Sequence, residues 1–146
     1  MFLFWKDKGI EYNAKLVRRW ENEHRKLEKY AGIVMEAYDK GDIKKAKKVL
    51  NKLELLALNH LMDEDVTFYD MSKKAKATDT KVLAAMKEFR HSFFDTKKVL
   101  FHFFFYYTDP KTELDDTFRT KFDGIVDALV KRIAFEESNL YTMIAK

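Results

Sequence analysis

The chain has 146 residues, 47% of them hydrophobic and 15% aromatic, which suffices for one domain with a sizeable core. A formal charge of +4 is too small an excess to suggest a nucleic-acid footprint, and the absence of cysteine removes disulfides, thiolate metal ligands and cysteine nucleophiles. One proline and four glycines interrupt the sequence so rarely that long helices are expected.

After an N-terminal arm, residues 1–12, a first helix is expected from about Asn13 to Asp39. There Leu16, Trp20, Leu27, Ala31, Val34 and Tyr38 recur at three- and four-residue steps along one face. Gly41-Asp42 supplies a stop and a fresh N-cap. The second helix is expected from Asp42 to about Tyr69, with Ala46, Leu50, Leu53, Ala57, Leu61 and Phe68 on one side. A polar loop over residues 72–80 follows, with Thr78 or Asp79 as cap of the third helix. That helix carries Val82, Met86, Phe89, Phe93, Leu100 and Phe104 and ends at Thr108-Asp109-Pro110. The fourth begins at Asp115-Asp116, with Phe118, Phe122, Ile125, Leu129, Ile133, Leu140 and Ile144 inward. Four amphipathic helices with short connections predict an all-α, antiparallel up-down four-helix bundle spanning residues 1–146 as one domain.

The opening Met1-Phe2-Leu3-Phe4-Trp5 is apolar but too short for a signal peptide, and no run approaches transmembrane length. A cytoplasmic protein without a membrane or nucleic-acid partner is the expectation. The basic runs Lys44-Lys45-Ala46-Lys47-Lys48 and Lys73-Lys74-Ala75-Lys76 read as solvated surface. Phe2, Phe4 and Trp5 are expected to pack across the bundle end or to contribute to a protein partner's site.

Four ionisable residues break the apolar stripes. His24 lies beside Trp20, Leu27 and Ala31; His60 and Glu64, one turn apart, are bracketed by Ala57, Leu61 and Phe68; Glu136 shares a face with Leu129, Ile133 and Leu140. Residues at i and i+4 leave a helix about 5–6 Å apart on one side, so a single ion can take both His60 and Glu64. Buried ionisable groups are costly unless paired or metal-bound, and four of them from three helices point to a metal site. The alternative is a closed polar network in which Arg132 pairs with Glu136 at i, i+4. On the third helix His91 lies nearly opposite the apolar stripe, so it becomes a ligand only if a π-bulge rotates it inward. His102 is a surface residue.

The segments Glu23-His24-Arg25-Lys26-Leu27, His60-Leu61-Met62-Asp63-Glu64 and Arg132-Ile133-Ala134-Phe135-Glu136-Glu137-Ser138-Asn139-Leu140-Tyr141 resemble the hemerythrin-like, HHE cation-binding domain, as does Gly9-Ile10-Glu11-Tyr12 ahead of the first helix. The resemblance covers nearly the whole chain. It implies a non-haem di-iron centre inside the bundle, serving dioxygen, nitric oxide or redox sensing or iron handling. Carried over by position, His24, His60, Glu64 and Glu136 match ligands, with His91 the one candidate from helix three. Arg132 stands where many members have a histidine, which leaves a donor set suited to one iron, manganese or zinc ion and thin for two. Arg132 brings a fixed positive charge that opposes a second dication.

These readings favour a metal-binding protein over an enzyme, since no phosphate loop and no nucleophile constellation accompanies Ser72, Ser92 or Ser138. The alternative is a metal-free four-helix module that binds a protein partner.

Overall fold

The structure, a computed structural model, describes the backbone of residues 2–74 and 80–144 and the side chains of residues 14–73 and 80–144. The expected cap at Thr78 or Asp79 and the packing of Phe2, Phe4 and Trp5 therefore lie outside the described residues. The chain forms α1 (Phe2–Asp39), α2 (Ile43–Lys74), α3 (Thr80–Thr108) and α4 (Phe118–Phe135). A π-helical turn at Glu136–Leu140 and a last α-turn, α5 (Tyr141–Ile144), continue α4. This is the expected all-α four-helix bundle, with no strand among the described residues. No helix among them is long and apolar enough to cross a membrane.

The boundaries follow from local chemistry. Gly41 adopts φ +82°, the left-handed conformation glycine takes without a Cβ clash. The Asp42 amide then donates to the Ala37 carbonyl at 2.8 Å and the Gly41 amide to that of Tyr38 at 3.0 Å, a Schellman closure of α1. Asp42 turns directly into a cap, its Oδ1 accepting the Lys45 amide at 3.2 Å. Helix α4 starts at Phe118 rather than Asp115 because Asp115 is consumed by the turn. Its Oδ1 accepts the Tyr107 and Thr117 hydroxyls at 3.0 and 2.9 Å, and its carbonyl accepts the Phe118 amide. Helix α1 extends upstream to Phe2, and α2 five residues past Tyr69 to Lys74. Past Tyr69, Met71 still packs against the core, so α2 stays in contact with the bundle beyond the expected end.

The inward stripes bury as expected, and they do so in two blocks. One contains Leu27, Val34, Leu50, Leu53, Leu61, Leu100, Phe104, Phe118, Phe122 and Leu129; the other contains Leu16, Trp20, Phe68, Met86, Phe89, Leu140, Tyr141 and Ile144. Where the two blocks meet, α1, α2 and the fourth helix bury polar side chains: His24, His60, Glu64, Arg132 and Glu136. A polar layer thus crosses an otherwise apolar bundle. Dehydrating five ionisable side chains is tolerable only if they satisfy one another or a bound ion.

Candidate metal centre

The layer is built from both ring nitrogens of its two histidines. His24 presents Nδ1 to Glu137 Oε1 at 3.1 Å, and His60 presents Nδ1 to Glu23 Oε1 at 2.8 Å. Carboxylate oxygens accept, so each Nδ1 is the donor and each Nε2 is directed inward, where it carries a proton or offers its lone pair to a cation. The two Nε2 atoms lie 3.0 Å apart. Two lone pairs that close repel unless a proton or a cation stands between them.

The carboxylates complete the cluster. Glu136 Oε1 is 3.0 Å from His24 Nε2 and 3.8 Å from His60 Nε2, and Glu64 Oε1 is 3.0 Å from His60 Nε2. One donor atom from each of His24, His60, Glu64 and Glu136 falls within 4.8 Å of every other. Donors held at about 2.0–2.2 Å around one ion are separated by roughly 3–4 Å. The set fits a single cation of that size. Glu64 Oε1 supports the fit: it is buried and accepts no hydrogen bond among the described residues. Four carboxylates (Glu23, Glu64, Glu136 and Glu137) surround the imidazoles, with the Arg132 guanidinium against Glu64 and Glu136, so the layer holds either protons or a dication on its inward atoms.

The π turn is what brings Tyr141 in. In a regular helix, a residue five after Glu136 would sit about 140° round from it. Here the Tyr141 amide donates to the Glu136 carbonyl, inserting one residue and returning Tyr141 to the Glu136 face. Its hydroxyl donates to Glu64 Oε2 at 2.5 Å and lies 3.1 Å from His24 Nε2 and 3.4 Å from Glu136 Oε1. The phenol ring stacks on the His24 ring, with centroids 5.6 Å apart.

Arg132 closes the layer toward α3. Its Nε donates to Glu136 Oε2 at 3.2 Å, and Nη2 lies 3.6 Å from Glu64 Oε1 and 3.9 Å from Asp65 Oδ1. The guanidinium rests on Phe89, with Phe93 alongside, at 4.6 and 5.8 Å from the ring centroids. Helix α3 therefore supplies an aromatic shelf here. His91 is exposed on its outer face, because α3 keeps a regular α pitch through that position and the π turn lies in the fourth helix. The structure leaves His91 out of the cluster, and His102 is exposed as expected.

Burial and contact push the groups apart in proton affinity. Burial alone would pull His60 down, but the carboxylates of Glu136, Glu64 and Glu23 outweigh it and raise it to about 10. His24 is raised in the same way by Glu136 and Glu137 against its burial. Burial and the neighbouring Glu136 charge raise Glu64 to about 7. Glu136 is held below its ordinary range despite burial, because His24, His60, Glu64 and Arg132 favour its anion. Burial and the two glutamates keep the Tyr141 phenol protonated, and so a donor.

Three members of the layer escaped sequence reasoning. Glu23 and Glu137 each adjoin an inward residue but reach across to a histidine on another helix. Tyr141 needed the π insertion, which helical periodicity does not reveal.

A cavity of about 10 Å³ adjoins the cluster, between His24, His60, Arg132 and Glu136 and the apolar side chains of Leu27, Ala57, Leu61, Leu129 and Ile133. That is room for about one water molecule. No curated protein and no solved structure matches the chain. The family model of the hemerythrin HHE cation-binding domain matches residues 15–144, a span that contains every residue of the layer. The chain belongs to the hemerythrin HHE cation-binding family.

Proposed function

We propose that this chain binds one non-haem iron ion through His24, His60, Glu64 and Glu136, and uses it to sense dioxygen, nitric oxide or redox state or to handle iron. Two imidazoles and two carboxylates form a mixed nitrogen and oxygen donor set that suits iron, with manganese or zinc as substitutes. The observation that carries the reading is the pair of inward Nε2 atoms, 3.0 Å apart, each fixed by a carboxylate on its other nitrogen. Arg132 takes the place of a second ion, since its guanidinium already bridges toward Glu136 and Glu64. When bound, the iron would supply an exchangeable coordination position and a redox couple. The chain's own residues orient the imidazoles (Glu23, Glu137), hold a proton near Glu64 (Tyr141) and exclude bulk water. The water-sized cavity against Leu27, Ala57 and Leu129 favours a small ligand over an organic substrate.

A metal-free interaction module is the second reading, and Arg132 favours it: with protons on His60 and Glu64 the layer also closes without an ion. The two are separated by metal content after chelation and anaerobic reloading with ferrous iron. The expected result is one ion in the wild type and none in a His60→Ala, Glu64→Ala variant that keeps its helical circular dichroism. Equal metal in both would overturn the ligand assignment.

A further inference from the structure

The outer face of α2 and α3 carries an apolar ribbon that the bundle leaves uncovered. Leu55, Met62 and Val66 on α2 and Phe94, Phe101 and Phe105 on α3 are all exposed, Phe105 to 83%. Cross-helix pairs set their register: Lys97 with Asp65, and the Thr108 hydroxyl donating to Glu54 Oε2 at 3.0 Å. These pairs align the Met62 turn with Phe101 and the Leu55 turn with Phe105. At the far end Tyr69 and Phe94 line one cleft together, so the two rows form a single surface.

We infer that this face is an isologous interface between two copies of the chain. A phenylalanine side chain carries roughly 150–250 Å² of surface, so the six residues leave on the order of 700 Å² exposed. That exceeds the largest patch of a typical monomer, about 300–600 Å², and approaches the ~800 Å² one partner gives to a standard interface. The spacing calls for a helical occupant. Leu55, Met62 and Tyr69 lie seven residues apart, and Phe94, Phe101 and Phe105 follow steps of seven and four, the a/d pattern that packs against another helix.

A two-fold axis across the helices lays each helix on its own copy, reversed. It packs the Leu55, Met62 and Val66 row of one copy against the same row of the other, and the Phe94, Phe101 and Phe105 row likewise. The Lys98 ammonium lies over the Phe94 ring at 4.6 Å, a cation–π contact at the edge of the face.

Sedimentation velocity of the full chain tests this, with and without loaded iron. The wild type is expected to sediment at twice 17.4 kDa. A Leu55→Glu, Phe105→Glu variant should fall to the monomer mass with unchanged helical circular dichroism, whereas Lys29→Glu on α1 should stay dimeric. A wild type that remains monomeric at high micromolar concentration overturns the proposal, as does a double variant that still dimerises. Monomeric wild type that floats with anionic phospholipid vesicles would assign the face to a membrane surface instead.

Discussion

Replacing Tyr141 with phenylalanine removes one oxygen from the centre of the polar layer and leaves the ring stack on His24 in place. Among the described residues, the Tyr141 hydroxyl at 2.5 Å is the one hydrogen bond that Glu64 accepts, and Glu64 is fully buried. A hydrogen bond to an ionised group contributes roughly 1.5–3 kcal/mol, and burial of Glu64, which keeps only His60 Nε2 3.0 Å from its other oxygen among its close partners in the described residues, puts the metal-free protein toward the upper end, about 2–3 kcal/mol. For a chain of this length each kcal/mol moves Tm by about 2–4 °C, so the variant should melt ~4–12 °C lower. Scanning calorimetry of the chelated protein measures this directly. The same substitution in a Glu64→Gln background should cost less than half as much, because a neutral amide is cheaper to strand. A shift below about 2 °C, or an equal cost in both backgrounds, would refute the role given to the π turn in delivering Tyr141 to Glu64.

Three further outcomes follow from the same geometry. Glu23→Gln removes the carboxylate that orients His60 and should weaken iron binding about 10–100-fold in a chelator competition, with little change in fold; unchanged affinity would contradict the orienting role. In the metal-free protein His60 is raised from 6.5 to about 10 and Glu64 from 4.5 to about 7. Both raised groups stabilise the fold in their protonated forms. The Glu64 contribution is therefore complete below 4.5 and lost as pH rises through about 7, and that of His60 is complete below 6.5 and lost as pH rises through about 10. Apo stability should fall from neutral to alkaline pH while iron affinity climbs, with protons released on binding at neutral pH; an indicator dye in weak buffer showing no release would count against it. Arg132→His exchanges the guanidinium for a ligand and should raise iron content above one per chain. No rise would mean that the aromatic shelf of α3, rather than Arg132, limits the site.

The sequence carried the bundle and the four inward ionisable residues for the same reason. Helical periodicity reports which side chains face the core, whatever their chemistry, so His24, His60, Glu64 and Glu136 stand out against Trp20, Leu61 and Leu140. The rest depends on contacts between helices or on departures from the 3.6-residue repeat. Glu23 and Glu137 read as flanking residues on their own wheels, and their partners lie on neighbouring helices. A π insertion in α3 would turn His91 inward. The insertion lies instead at Glu136–Leu140, where it turns in Tyr141. One local irregularity, in one helix rather than another, leaves His91 exposed and brings the Tyr141 hydroxyl to Glu64.

The most direct test of the account is elemental analysis of freshly purified protein, repeated after anaerobic loading with ferrous iron and removal of loosely held metal. One iron ion per chain is the predicted result, because the four donors converge on one point and Arg132 holds the neighbouring position. Two ions per chain would contradict the part given to Arg132, and none after loading would show that the layer closes on protons alone.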